Sequence, residues 1–372
     1  DWIEILTAVV DGSTITYIVT DNGVVRVTLD PDRGGISSLK LLATGRELVP
    51  PGEILDEYLY VPGRDPSAAE GAGPARVQIT DSGPLVWTAV VSRQAPGTES
   101  GLETTIRLFA DSEAVEITHW FDKTQTYEPE AVLLRFPVAL ESAGAVIGGA
   151  WGAWRAETDQ PPGANRNYAT VERWADLHDD TGGLQVVSVD VPGIQLGSIG
   201  TDPIAAGWRQ VTDPEPVLYS YVMNNYWETN YRAAQDGPHE LRYTLRPHAG
   251  FDEAVAERFA ARVAHPLVIN STDRTSPVSK LPLALAAGRS IVTLVRALGE
   301  AEGEGLLVRM YNPSDEPDDV RFTRDDGSPV ASSIRTDPWG APLPAEDAAP
   351  PASTAGEIVL APREVATFVV RP

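Results

Sequence analysis

Apolar and polar positions alternate along most of this chain in short runs that suit strands rather than helices. Residues 14–19, 24–29 and, after the Gly34-Gly35 turn, 36–42 are rich in β-branched side chains and bounded by Asp, Asn or Gly. That is the pattern of a meandering antiparallel sheet. Residues 75–80, 86–92, 103–109, 114–120 and 132–138 continue it. Within 114–120 the polar Glu116 and Thr118 alternate with apolar residues, which predicts one wet face and one buried face. A series of strands without interleaved helices predicts sheet packed on sheet.

The segment 159–167 (DQPPGANRN) reads as a loop, because consecutive prolines cannot feed a central ladder and Gly163 frees the backbone. Strands are predicted again over 168–174, 184–189, 194–199, 217–223 and 241–245. One helix is predicted over 252–263, where Phe251, Val255, Phe259 and Val263 recur every four residues, Asp252 and Glu253 open it and Pro266 follows. It is expected to lie against a sheet face or to bridge two β units. After a linker-like stretch at 270–278, strands at 290–297, 305–311, 319–322, 357–360 and 366–370 predict a small β-sandwich. The Ala- and Pro-rich tract 342–353 reads as a surface loop. The expected domains are 1–268 and 269–372.

Composition narrows the functions. Lys and Arg total 29 against 53 Asp and Glu, a net charge of −24, which argues against a nucleic-acid or anionic-membrane partner. Cysteine is absent, removing disulfides, thiolate metal sites and a cysteine nucleophile. No stretch approaches the roughly 18 consecutive apolar residues of a membrane-spanning helix. The five histidines, His119, His178, His239, His248 and His265, fall on different elements without a His-x-x-x-His spacing, so no metal site is expected.

The densest polar and aromatic cluster is VMNNYWETNY, residues 222–231. Aromatic plates beside amides and a carboxylate suit sugar binding, since ring faces stack on C–H groups and the polar groups meet hydroxyls. The same residues also suit a core Trp227 and Tyr231 with the asparagines closing a turn. Residue chemistry leaves both readings open.

The order of the cluster in its context adds a resemblance. NNYWETNYRAAQDGPHELRYTL (224–245) resembles the Asn-Asn-x-Trp-x-Thr-Asn-aromatic segment in the C-terminal half of glycoside hydrolase family 38 α-mannosidases. GGISSLKLLATGRELV (34–49) resembles that family's entry into its large β-domain. Arg135-Phe136-Pro137, after the Asp122-Lys123 pair and Glu128, resembles its "E…FP" strand. DQPPGANRNYATVERWADLHDD (159–180), Asp190-Val191-Pro192 with Gln195-Leu196-Gly197, and Val308-Arg309-Met310-Tyr311-Asn312-Pro313 resemble further family segments in the family's order. Departures are Tyr226 and Glu228 on either side of Trp227, and the doubled Pro161-Pro162.

The resemblance implies an all-β fold: a galactose-mutarotase-like β-supersandwich, then a small C-terminal β-sandwich, with one short helix between. It also implies a carbohydrate-associated β-region that supports the cleft of a separate catalytic α/β domain. The zinc ligands, nucleophile and acid/base group are expected in that domain, with no cofactor in this chain. Carbohydrate-binding candidates are Asn224, Asn225, Trp227, Glu228 and Asn230, with Asp159, Gln160 and Arg166 on the neighbouring loop. The expected partners are carbohydrate and the catalytic domain, and the expected location is the cytoplasm. Two other classes stay open. A standalone aldose epimerase or polysaccharide lyase on the same superfold would pair Glu228 with His239 or His248, and a hydrolytic pair of carboxylates would be Glu228 with Asp159. A non-catalytic glycan binder would stack sugars on Trp227, Trp154 or Trp174.

Overall fold

The computed structural model describes residues 3–10, 13–201, 207–226, 233–267, 283–299, 303–344 and 356–371. The chain divides into two compact units, Asp1–Gly149 with Trp154–Phe251, and Ala150–Ala153 with Asp252–Pro372. The helix therefore belongs with the second unit, on the far side of the boundary expected at 268.

The first unit is built on antiparallel sheets. A nine-stranded sheet runs in the order Gly152–Arg155, Gly144–Gly149, Trp174–Asp179, Gly182–Ser188, Gly237–His248, Val115–Lys123, Thr98–Phe109, Val86–Arg93, Ala75–Ser82. A six-stranded sheet is ordered Ala169–Thr170, Gly193–Leu196, Val217–Asn224, Glu130–Pro137, Glu57–Pro62, Glu70–Gly71, and a five-stranded sheet precedes both in sequence. One continuous core joins them, with Trp87, Ile106, Phe121 and Tyr243 from the large sheet meeting Tyr58, Leu134 and Phe136 from the six-stranded one and Val27 and Ile36 from the first. This is the supersandwich that the strand series and the resemblance led us to expect.

Strand Val115–Lys123 shows how alternation sets the layers. Its odd-numbered residues are buried and Glu116 and Trp120 are exposed, so the wet face predicted from Glu116 and Thr118 is present. The buried face also carries His119 and Lys123, and burying polar groups is tolerable only when they are partnered. His119 Nε2 lies 2.8 Å from Asp56 Oδ1 and its Nδ1 lies 3.0 Å from Thr104 Oγ1, which accepts from Arg93 Nη2 at 3.1 Å. Lys123 Nζ meets Glu130 Oε1 at 2.7 Å.

Several expectations need correction. Residues 168–174 do not form one strand: Ala169–Thr170 pairs with the six-stranded sheet, and Trp174 opens a strand of the nine-stranded one. The chain crosses between layers there, which local pattern does not show. The strand expected over 194–199 ends at Leu196. The helix spans Glu253–Ala264, capped by Asp252 accepting from the Val255 N–H. Its buried residues are Ala254, Ala256 and Ala260, while Val255 is exposed. Small side chains, not the Phe and Val stripe, form its close-packed face.

The second unit pairs a three-stranded sheet (Ala284–Ala287, Asp318–Thr323, Glu357–Leu360) with a four-stranded one (Ile291–Ala297, Leu306–Tyr311, Val365–Arg371, Ser332–Thr336). Val308, Met310, Phe322 and Phe368 share its core. Asn312, from the family-like VRMYNP run, is fully buried, donates to the carbonyls of Glu316 (2.8 Å) and Ala361 (3.0 Å), and accepts from the Ser314 N–H (3.1 Å). Its role is to close a turn. Most of the expected linker 270–278 and loop 342–353 lie outside the described residues.

Candidate functional site

The six-stranded sheet has two apolar faces. Alternation turns Leu59, Val61, Ala131, Leu133, Tyr219 and Tyr221 away from the main core, and with Tyr226 and Ile199 they form a separate cluster. Loops from distant parts of the sequence are tied together by hydrogen bonds. Thr201 Oγ1 donates to the Arg64 carbonyl at 2.5 Å, and the Arg64 guanidinium sits 5.7 Å from the centre of the Tyr226 ring. Arg209 donates its N–H to Asn167 Oδ1 and its Nη1 to the Ser198 carbonyl, each at 3.1 Å. Arg166 Nε donates to both Glu157 oxygens at 3.0 Å, and Glu157 Oε1 accepts from the Thr212 N–H at 2.6 Å. Loop 155–167 and segment 224–226, singled out separately in the sequence, are thus joined through Arg64, 198–201 and 207–212 in one network.

Within that network the candidate side chains are held internally. Asn225 is 5% exposed; its Oδ1 accepts from the Glu130 N–H at 2.5 Å and its Nδ2 donates to the Thr126 carbonyl at 3.3 Å. Asn224 Oδ1 accepts from the Tyr226 N–H at 3.4 Å. Asp159 accepts from the Arg155 N–H at 2.7 Å, while Gln160 accepts from the Glu157 N–H at 3.1 Å and donates to the Asn165 carbonyl at 3.2 Å. These bonds shape the loop. Trp227, Glu228 and Asn230 lie outside the described residues.

At the other end of the same sheet, beside Pro137 and Val217, opens a cleft of about 1050 Å³. It is lined by Arg46, Arg135 and the carboxylates of Glu53, Glu141, Asp179, Asp180 and Glu215. Arg135 donates to Glu53 at 2.5 Å and to Glu57 at 3.1 Å. Arg46 clasps Asp179 with bonds of 2.9 and 2.7 Å. These hydrogen bonds hold Asp179 well below the usual carboxylate range, and Arg135 likewise lowers Glu53. With both guanidiniums matched, the cleft is an acceptor-rich surface suited to hydroxyl groups, without an aromatic plate among its lining residues.

Two histidine clusters escaped the sequence reading. Asp56, His119 and Thr104 have a triad-like order, but His119 and Thr104 are 0% exposed, so no substrate reaches them. Asp176 bridges His178 Nδ1 and His248 Nε2, 2.8 Å from each. Burial pushes the Asp176 carboxyl up, but the hydrogen bonds from the two imidazoles outweigh it and hold the group low. The histidines meet because His178, Gly183 and His248 lie in one row across three strands, a convergence that linear spacing cannot reveal. Among the described residues, no group of three or more His, Cys, Asp or Glu is placed to hold a metal ion. Of the two acid–base candidates for Glu228, His248 is bound to Asp176, and His239 sits at the far end of the same strand, stacked on Phe121. Trp174, considered as a stacking platform, is 1% exposed.

The layered sheets, the loop network and the polar cleft make up an all-β region. Residues 20–199 match the family model described as the glycosyl hydrolases family 38 C-terminal domain. An α-mannosidase from Enterococcus faecalis V583 superposes with a TM-score of 0.72 at 12% identity, over 94% of this chain and 42% of that one. A family 38 glycosyl hydrolase protein from Enterococcus faecalis gives 0.71 at 12% identity, over 94% and 43%. At this identity the likeness shows the shared fold. The chain spans less than half the length of either structure. No curated protein matches the sequence.

Proposed function

We propose that this chain is the carbohydrate-associated C-terminal β-region of an α-mannosidase-like glycoside hydrolase, and that it buttresses and walls the cleft of a zinc-dependent catalytic domain. The observation that carries the reading is the family match over 20–199, together with a fold that aligns over 94% of this chain to only 42% of an α-mannosidase. In this reading the network joining 155–167, 198–201, 207–212 and 224–226 sets the shape of the wall, and Trp227, Glu228 and Asn230 are its sugar contacts. Zinc belongs to the catalytic domain, and this chain works in the cytoplasm beside it. Among the described residues no helix is long and apolar enough to cross a membrane.

The test is turnover of aryl α-mannosides, with and without added zinc, by the chain alone and after reconstitution with the catalytic domain. The chain alone should be inactive and the reconstituted pair active. Turnover by the chain alone, or a catalytic domain equally active and stable without it, would overturn the proposal.

A further inference from the structure

Trp120 stands on the outer face of the nine-stranded sheet, 43% exposed. Strand register fixes what surrounds it. Glu103 lies directly opposite on one side and Glu240 on the other, and the row continues past Glu103 through Ser92 to Arg76. All five residues are exposed. Beside the indole opens a recess of about 310 Å³, lined in part by Trp120, Glu103, Ser92 and Gln94. It adjoins the point where the register of strand Thr98–Phe109 shifts between Thr98 and Leu102. Gly101 permits that bulge: at φ +93° it has no room for a Cβ, which would fall 2.4 Å from the Arg93 carbonyl.

We propose that this row is a glycan-binding subsite, with Trp120 as the stacking plate for one pyranose ring and Glu103, Glu240 and Ser92 meeting its hydroxyls. The neighbours decide the ligand class. An apolar protein partner would bury two carboxylates beside the indole, and charged residues are depleted at the centres of such interfaces. A cation would be drawn to an aromatic ring between carboxylates, but Arg76 in the same row opposes it. A pyranose presents a C–H face to the ring and hydroxyls that both donate and accept around its edge. The row supplies acceptors in the glutamates, a donor in Arg76 and both in Ser92. The patch lies on a different sheet from the loop network described above, so it goes beyond the cleft-wall reading, which suggests only that α-mannosides be tried first.

The test is isothermal titration of the whole chain with mannotriose, with cellotriose as a second sugar arm and trilysine as the cationic arm. At least one sugar should bind, with affinity lowered about tenfold or more by Trp120→Ala and kept within about threefold by Trp120→Tyr. Glu103→Gln should weaken binding less than Trp120→Ala. Because these side chains are exposed, each variant should melt as the parent does. No binding of either sugar, equal affinity in Trp120→Ala, or binding of trilysine alone would overturn the proposal. Sugar binding is read without turnover, so its failure is distinguishable from failure of the cleft-wall reading.

Discussion

Lys123→Met removes one half of the ion pair beneath the Asn225 corner. Lys123 Nζ lies 2.7 Å from Glu130 Oε1, with the two side chains 1% and 6% exposed. The ammonium also donates to the Thr124 carbonyl at 2.8 Å and sits 5.9 Å from the centre of the Tyr60 ring. Methionine keeps the length and the apolar stem but leaves the Glu130 carboxylate buried without a counter-ion. Breaking one side of a buried pair costs about 3–5 kcal/mol, and loss of the Thr124 and Tyr60 contacts places this variant near the middle, about 4 kcal/mol. For a unit of this size that lowers Tm by roughly 8–16 °C. Calorimetry of the first unit's transition, with urea unfolding alongside, measures it. The double variant Lys123→Met with Glu130→Met removes both charges and should recover to within about 1–2 kcal/mol of the parent, because apolar replacement of a whole buried pair is often neutral. A single variant within about 1 kcal/mol of the parent, or a double variant as damaged as the single, would refute the reasoning.

Three other outcomes follow from the same geometry. Asn225→Ala leaves the Glu130 N–H and the Thr126 carbonyl without their partner and should lower stability by about 1–3 kcal/mol; an unchanged melting temperature with lost activity of a reconstituted enzyme would instead make Asn225 a sugar contact. Because Arg46 depresses Asp179 below its ordinary 3.8, this carboxylate contributes stability that is present above that value and lost as pH falls through the folded pKa. Thermal melts taken downward from pH 5 should therefore fall more steeply for the parent than for Asp179→Asn, and parallel curves would sink the assignment. Gly183→Ala would place a Cβ 2.2 Å from the Leu177 carbonyl and 2.6 Å from the His178 Cβ, so it should cost about 1–3 kcal/mol or more in urea unfolding and shift the imidazole NMR signals of His178 and His248.

The sequence carried the fold well where one rule acted alone. Alternation located Val115–Lys123 and Val86–Arg93 because each has one buried face, and Asp252 announced the helix through its capping chemistry. It failed where tertiary partners decide. Glu57–Pro62 lies centrally between Glu130–Pro137 and Glu70–Gly71 yet passed unnoticed, since EYLYVP packs on both faces and shows no alternation. The candidate site was legible as segments, 159–167 and 224–231, through their resemblance to the family. What each side chain does was not: Asn225 and Gln160 look like sugar ligands in sequence, and only coordinates reveal the backbone groups that occupy them. Trp120 shares the parity of Glu116 and Thr118 and so falls on the wet face, but only strand register brings the glutamates beside it.

Ala150–Ala153 belongs with Asp252–Pro372 although about a hundred residues separate them in the chain. The stretch is anchored there by Trp151 edge-on to Tyr311, with ring centres 6.0 Å apart, and by the Ala153 N–H donating to Glu253 Oε1 at 3.3 Å. No single proteolytic cut can therefore release the second unit whole. On the ribosome, this short stretch emerges long before Glu253 and Tyr311, the partners of Ala153 and Trp151. A truncation library with one breakpoint should yield no intact second unit, whereas a fusion that re-supplies 150–153 ahead of residue 252 should restore it.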